Sequence, residues 1–366
     1  MKLTKAKPSS KPSQQTAEKS EKPREPKAAA DAWLFQSPPG LAAVLKRELV
    51  FRGALDRKQD LFIKRQRNHD LLFANKIKSD AGLTKLRTAE AAFRCPIFGR
   101  YKVSQRQLQT LADDLQKVGP RRLVVSVAGR VFNRQDLSRW LEKEVSARGY
   151  DFDPNVEDEV WMFCIDEAYY FGIPITKARD TEGREHRSEE RHGSLPPPIA
   201  AALAFGGMPK PGDVILDPVC GSGTLLAEAY AYAPEAKFIG RDLDSQAVAI
   251  ARSNLTHISE LDLAQADSRK LELKEKNVSL VLANFPFGLQ FGDKKNNPAL
   301  YRDILHACLK FARPEGWRAV LFTSDIESLR AALVDFKDLE TQDLFKVKVR
   351  GEIAYAVLAK RKSAKK

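Results

Sequence analysis

Ile215-Leu216-Asp217-Pro218-Val219-Cys220-Gly221-Ser222-Gly223-Thr224 reads as a strand that breaks into a glycine-rich turn and gives way to a helix beginning at Leu225. With no Cβ at Gly221 or Gly223, the backbone can take dihedrals closed to other residues and let a ligand lie against it. A Gly-x-Gly pair alone is a weak signal. Its weight comes from Lys237-Phe238-Ile239-Gly240-Arg241-Asp242, a second strand ending in an acid 25 residues after Asp217. A carboxylate in that place can accept both hydroxyls of a ribose. Asp267, in Ala264-Gln265-Ala266-Asp267-Ser268, follows the next helix (245–257) and belongs beside an adenine ring. Asp244 suits the N-cap of that helix better than a ligand. Three acids and one turn thus outline an adenosine-bearing ligand.

Pyrophosphate is disfavoured. The dinucleotide fingerprint wants a third Gly or Ala where this chain has Leu226, and no Gly-Lys-Ser/Thr follows the loop. Asp217 at the strand tip would repel a phosphate but welcomes the ammonium of a methionine moiety. S-adenosylmethionine fits all of these features.

About 60 residues further on, the apolar run 278–283 ends in Asn284-Phe285-Pro286-Phe287-Gly288. The exocyclic amine of guanine or adenine is a poor nucleophile, because its lone pair is delocalised into the ring. The Asn284 side-chain carbonyl and a main-chain carbonyl of the Phe285-Pro286 peptide can each take one N–H and steer the lone pair along the line of attack. Phe287 would stack on the base, which must be single-stranded or flipped out. A strand ending in Asn-x-Pro is also a common structural turn; its place after the glycine turn and the strand-end acids favours the chemical reading. Cys220 invites comparison with cytosine-C5 chemistry, but its place inside the glycine turn points it at the cofactor, as a small packing residue.

Asp217-Pro218-Val219-Cys220-Gly221-Ser222-Gly223-Thr224 with Glu228, Arg191-His192-Gly193-Ser194-Leu195, and Asn284-Phe285-Pro286-Phe287-Gly288 resemble the THUMP-associated class I RNA methyltransferases, best over residues 191–358. The resemblance implies that the segment holding Asp217, Pro218, Gly221 and Gly223 binds S-adenosylmethionine. It implies that the Arg191–Leu195 segment, with Arg191 and Ser194, closes over the methionine end, and that Asn284-Phe285-Pro286-Phe287 holds the base. It further implies guanine N2 in tRNA or rRNA as the target. One departure is Phe285, where relatives more often carry Pro, Leu or Ile; the wider ring either narrows the base pocket or packs underneath it. The clamp also suits adenine N6 and a glutamine side-chain amide, so DNA or RNA adenine methylation and protein glutamine methylation stand as alternatives, as does a non-catalytic RNA-binding assembly factor.

The expected fold is α/β: a Rossmann-like class I methyltransferase domain preceded by a basic α+β, ferredoxin-like plus THUMP-like, domain. Helices are expected over 300–311 and from Ile326, and strands over 318–323, 344–349 and 353–358. Only Arg350-Gly351-Glu352 separate the last two strands, too few for a parallel crossover, so they should form an antiparallel hairpin at the sheet edge. Upstream, the sequence pattern gives a helix from about Gly40 to Leu49, a strand at 122–127, a helix over 135–147 and a strand at 160–165.

The chain has 366 residues and a net charge of +13. Residues 41–150 carry +13 by themselves, whereas 191–359 carry −1. A basic module before a near-neutral catalytic one suits a polyanion gripped away from the reaction, so RNA is the expected partner of the 41–150 region. Expected boundaries are a disordered basic tail at 1–30, the RNA-binding region at 31–185, the methyltransferase domain at 186–359 and a basic tail at 360–366. Cys95, Cys164, Cys220 and Cys308 are scattered without C-x-x-C spacing, so neither a disulfide framework nor a metal site is expected. Nor is a membrane partner, since no apolar run approaches 18 residues and no signal-peptide core is present. A soluble, cytoplasmic protein is the expectation.

Overall fold

The computed structural model describes residues 32–66, 68–100, 103–128, 133–165, 168–177, 184, 194–286 and 295–362. The expected tail at 1–30 lies outside them, as do the last four residues.

The amino-terminal half is a seven-stranded sheet: β1 (Ala32–Ser37), β2 (Phe62–Arg65), β3 (Asp70–Ala74), β4 (Ala91–Arg100), β5 (Arg122–Ala128), β6 (Glu159–Ile165) and β7 (Ala168–Lys177), ordered β2-β3-β1-β4-β7-β6-β5. All pairs are antiparallel except β5 with β6. Helices α1 (Ala42–Phe51), α2 (Gln105–Val118) and α3 (Arg134–Ser146) are threaded between them. In β6, alternate residues feed opposite faces: Val160, Met162 and Cys164 pack with α2 and α3, whereas Phe163 and Ile165 join Leu34, Phe73, Phe93 and Tyr170 on the other side.

The carboxyl-terminal half begins with α4 (Pro197–Gly207) and holds β8 (Val214–Asp217), α5 (Thr224–Tyr230), β9 (Lys237–Asp242), α6 (Ser245–Asn254), β10 (Leu261–Gln265), β11 (Leu280–Asn284), α7 (Asn297–Leu309), β12 (Arg318–Thr323), α8 (Ile326–Leu333), β13 (Leu339–Val349) and β14 (Glu352–Arg361). Its sheet order is β10-β9-β8-β11-β12-β14-β13, parallel from β10 to β12, with β14 inserted antiparallel. Each central strand is apolar on both faces, as a covered parallel sheet requires. Leu280 and Leu282 of β11 face α4 and α5, while Val281 and Ala283 face α7 and α8. The hairpin is tighter than the three residues expected: Val349 pairs with Glu352, leaving Arg350 (φ 49°) and Gly351 (φ 96°) as a two-residue turn with both residues left-handed. β14 also runs to Arg361, so the first two residues expected in the basic tail are strand.

The halves interlock through α1. Leu41 and Val44 are buried in the same cluster as Leu203, Val347 and Ala356, and Phe51 meets Phe205 edge to face at 5.6 Å. Beneath them lies a buried polar cluster. Glu48, fully buried, accepts from the Thr88 amide at 2.8 Å and hydroxyl at 2.6 Å, and from the Tyr232 hydroxyl at 2.8 Å. Glu228 of α5, also buried, takes Arg87 Nε at 2.6 Å and Arg184 Nε at 2.8 Å. Glu228 is thus an ion-paired joint between the halves.

Candidate active site

The site stands where the chain reverses its order across the sheet, between β8 and β11, the place where open parallel sheets bind ligands at their carboxyl ends. The register sets its shape. Asp217 pairs with Gly240, and Leu216 with Val281, so Asp242 on one side and Asn284 on the other each stand two residues beyond Asp217. That is about 7 Å along the strands. Asp217 forms a recessed floor with Asp242 and Asn284 as flanking walls.

Asp217 is 1% exposed; its Oδ1 accepts the Val219 amide at 3.0 Å, and no cation pairs with it among the described residues. Burial pushes its carboxyl well above the usual carboxylate range, and nearby Asp242 adds to this. Such a group waits for a cation. Asp242 Oδ2 accepts the Gly221 amide at 2.8 Å and Oδ1 the Asp244 amide at 3.0 Å, which orients the carboxylate and leaves each oxygen a second lone pair. Leu243, next in the chain, is 67% exposed at the rim, an apolar surface that the sequence pattern did not single out.

The two glycines of the turn differ. Gly221 (φ +51°) has nothing within 4 Å of where a Cβ would be: its face is open, as a ligand lying on the backbone needs. A Cβ on Gly223 (φ +82°) would meet Leu255 Cδ1 at 2.7 Å, so that glycine lets α5 and α6 close together. Pro218 offers its carbonyl to the Ser268 hydroxyl, tying the turn to the Asp267 loop. Asp267 itself caps the short turn after β10 and holds Arg269 Nη2 at 2.7 Å; hydrogen bonding to Arg269 keeps its carboxyl below the usual range. An adenine amine there would share that carboxylate with Arg269. Ser194 Oγ lies 2.8 Å from Ser222 Oγ, bringing the segment before α4 onto the turn. Arg191 and Phe287 lie outside the described residues. Cys220 is buried, and burial raises its thiol well above the ordinary range, as a packing residue beneath Gly240 requires.

Asn284 ends β11 with its side-chain Oδ1 buried and, among the described residues, without a hydrogen-bond partner. An unsatisfied buried acceptor is costly unless a ligand completes it. Phe285 is 1% exposed and stacks on Tyr301, centroids 4.6 Å apart at 10°. Its ring therefore packs underneath and does not narrow the base pocket. The Pro286 carbonyl accepts the Tyr301 hydroxyl at 2.6 Å, leaving the Phe285 carbonyl as the main-chain acceptor beside Asn284. Tyr301 left no mark in the local sequence; only the fold brings it under the turn. The buried carboxylate at Asp217, the open face of Gly221 and the strand-end carboxylate of Asp242 together suit an ammonium, a backbone-hugging chain and a ribose. This donor set fits S-adenosylmethionine, which when bound supplies a methyl group on a sulfonium.

Among the described residues no cluster of His, Cys, Asp and Glu suits a metal, and no helix is long and apolar enough to cross a membrane.

Residues 184–354 match the family UPF0020, described as RMKL-like, methyltransferase domain. The chain is 31% identical over 197 residues to the tRNA (guanine(6)-N(2))-methyltransferase THUMP3 of Mus musculus, covering 49% of this chain and 38% of that protein. It is 34% identical over 170 residues to the tRNA (guanine(6)-N2)-methyltransferase of Thermus thermophilus, covering 46% and 50%. The chain thus spans half or less of the length of these curated relatives. Among solved structures, TrmN from Thermus thermophilus matches with a TM-score of 0.73 at 22% identity, covering 90% of this chain and 99% of that one. SMU.472, a putative methyltransferase complexed with SAH, matches at 0.64 and 15%, covering 92% and 99%. These establish a shared fold across both halves. Over residues 184–354, a little under half of its length, this chain is thus similar to the UPF0020 family of RMKL-like methyltransferase domains.

Proposed function

We propose that this protein transfers the methyl group of S-adenosylmethionine to an exocyclic amino group of an RNA base, with guanine N2 as the target. The observation that carries the reading is the buried Oδ1 of Asn284 at the end of β11, which has no hydrogen-bond partner among the described residues and is followed directly by the Phe285 carbonyl. Two acceptors side by side hold an amine by both of its N–H bonds and free its lone pair for the methyl; no nucleophilic side chain is needed. Guanine N2 is supported by the activities of the relatives, named as guanine-N2 methyltransferases of tRNA and, for THUMPD2 of Bos taurus, of U6 snRNA.

For the partner, the reading rests on charge. The 41–150 region carries +13, and the two edges of the amino-terminal sheet, β2 and β5, line one cavity of about 660 Å³. Its lining includes Lys64, Arg65, Arg134 and Trp161 and, among the described residues, no acid. Cations around a concavity suit a phosphodiester chain.

Unmodified RNA transcripts incubated with the protein and S-adenosylmethionine, then digested and examined by nucleoside mass spectrometry, test the proposal. N2-methylguanosine is expected, and Asn284→Ala should lower its rate about 10²- to 10³-fold with cofactor binding retained. N6-methyladenosine would redirect the reading to adenine, and no product despite cofactor binding would overturn it.

A further inference from the structure

We infer that Tyr301 is a positioning residue for methyl transfer: it locks the Phe285-Pro286 peptide so that the Phe285 and Asn284 carbonyls meet one amino group together. The inference rests on the methyl-transfer reading above and assigns a role to a residue outside the Asn-x-Pro-Phe segment.

Tyr301 lies on α7 with no exposed surface. It touches the turn after β11 twice, through its ring against Phe285 and through its hydroxyl to the Pro286 carbonyl at 2.6 Å. A third tie comes from β12, whose Phe322 carbonyl accepts the Phe285 amide at 2.9 Å. Phe285, which carries one of the two proposed acceptors, is therefore held at its amide and its ring, and at the carbonyl of the residue after it.

The hydroxyl belongs to a chain whose direction is set at both ends. The Asp325 amide can only donate, and does so to Thr323 Oγ1 at 3.0 Å; the Pro286 carbonyl can only accept. Between them the Thr323 and Tyr301 hydroxyls lie 3.0 Å apart, so Thr323 donates to Tyr301 and Tyr301 to Pro286. Bonds aligned in one direction reinforce each other in a dry interior. Burial pushes the Tyr301 hydroxyl up to about 12, so it remains a donor throughout the working range and serves as no acid or base. Its effect is geometric. A peptide free to rock would misalign the Phe285 carbonyl, and small misplacements of positioning groups weaken catalysis without weakening binding.

The test compares wild type, Tyr301→Phe and Thr323→Val on one RNA, with the active fraction of each set by its stoichiometry of S-adenosylhomocysteine binding. Tyr301→Phe keeps the stack and loses only the carbonyl bond. Its kcat should fall about five- to tenfold, with KM for RNA and cofactor affinity unchanged. Thr323→Val, one link further away, should fall about two- to threefold in the same way and serves if Tyr301→Phe does not fold. An unchanged kcat in the folded variants, or a loss confined to KM or to the active fraction, overturns the role of Tyr301 while leaving the methyl-transfer reading in place. A wild type that binds cofactor but methylates no RNA overturns both.

Discussion

Gly221 and Gly223 share a residue type and a left-handed backbone yet answer to different neighbours, and substitution should separate them. Gly221→Ala sends a methyl into the open face meant for the cofactor, so S-adenosylmethionine affinity should drop while stability falls by only about 1 kcal/mol of backbone strain. Gly223→Ala drives Cβ into Leu255, so a lowered melting temperature of about 1–3 kcal/mol equivalent is expected. Calorimetric binding and thermal denaturation read the two effects. Asp217 carries a pH signature. An acid whose value is raised on folding holds its proton more tightly in the folded state, so the ligand-free protein should lose stability as pH climbs from the ordinary carboxylate range through the raised value. A bound ammonium favours the ionised form, so cofactor affinity should rise over the same interval. Asp217→Asn should flatten both profiles and weaken cofactor binding about ten- to a hundredfold.

Among the elements, α5 joins the cofactor turn at one end to the buried ion pairs of Glu228 along its length. Truncating Glu228 to Ala deprives two buried guanidinium groups, Arg87 and Arg184, of their shared carboxylate. The loss should be about 3–5 kcal/mol in urea denaturation, with Glu228→Gln milder. None of this pairing was legible in the sequence, because Arg87 stands 141 positions from Glu228 and no local spacing connects them. Tyr301 escaped notice for the same reason. What could be read was whatever repeats locally: the glycine turn, the acids at strand ends, the N-cap Asp244, which accepts the Gln246 amide at 2.8 Å, and the closing hairpin. The hairpin was placed correctly but one residue too loose, since nothing in Arg350-Gly351-Glu352 marks Glu352 as paired.

For the molecule as a whole, the charge map suggested two modules, and two sheets are present, but α1 belongs to both. Its N-cap Leu41 and its Val44 complete a core otherwise built from the second half. Charge reports surfaces and is blind to shared interiors, which is why the interlock could not be read from it. Calorimetry of the full chain should therefore show one cooperative transition, and a fragment beginning at residue 184 should melt at a markedly lower temperature or fail to fold.

The inserted β14 carries a further consequence. By pairing between β12 and β13 it makes β13 the outermost strand of its sheet, a row of backbone groups on which a foreign strand could grow. β13 blunts that edge with Glu340, Asp343, Lys346 and Lys348 and with an irregularity between Asp343 and Phe345. Gly40 presses so closely on the Lys346 carbonyl that a Cβ there would lie 2.1 Å away. The turn before α1 thus doubles as a guard against aggregation, and a side chain at Gly40 would lift it from the strand it shields.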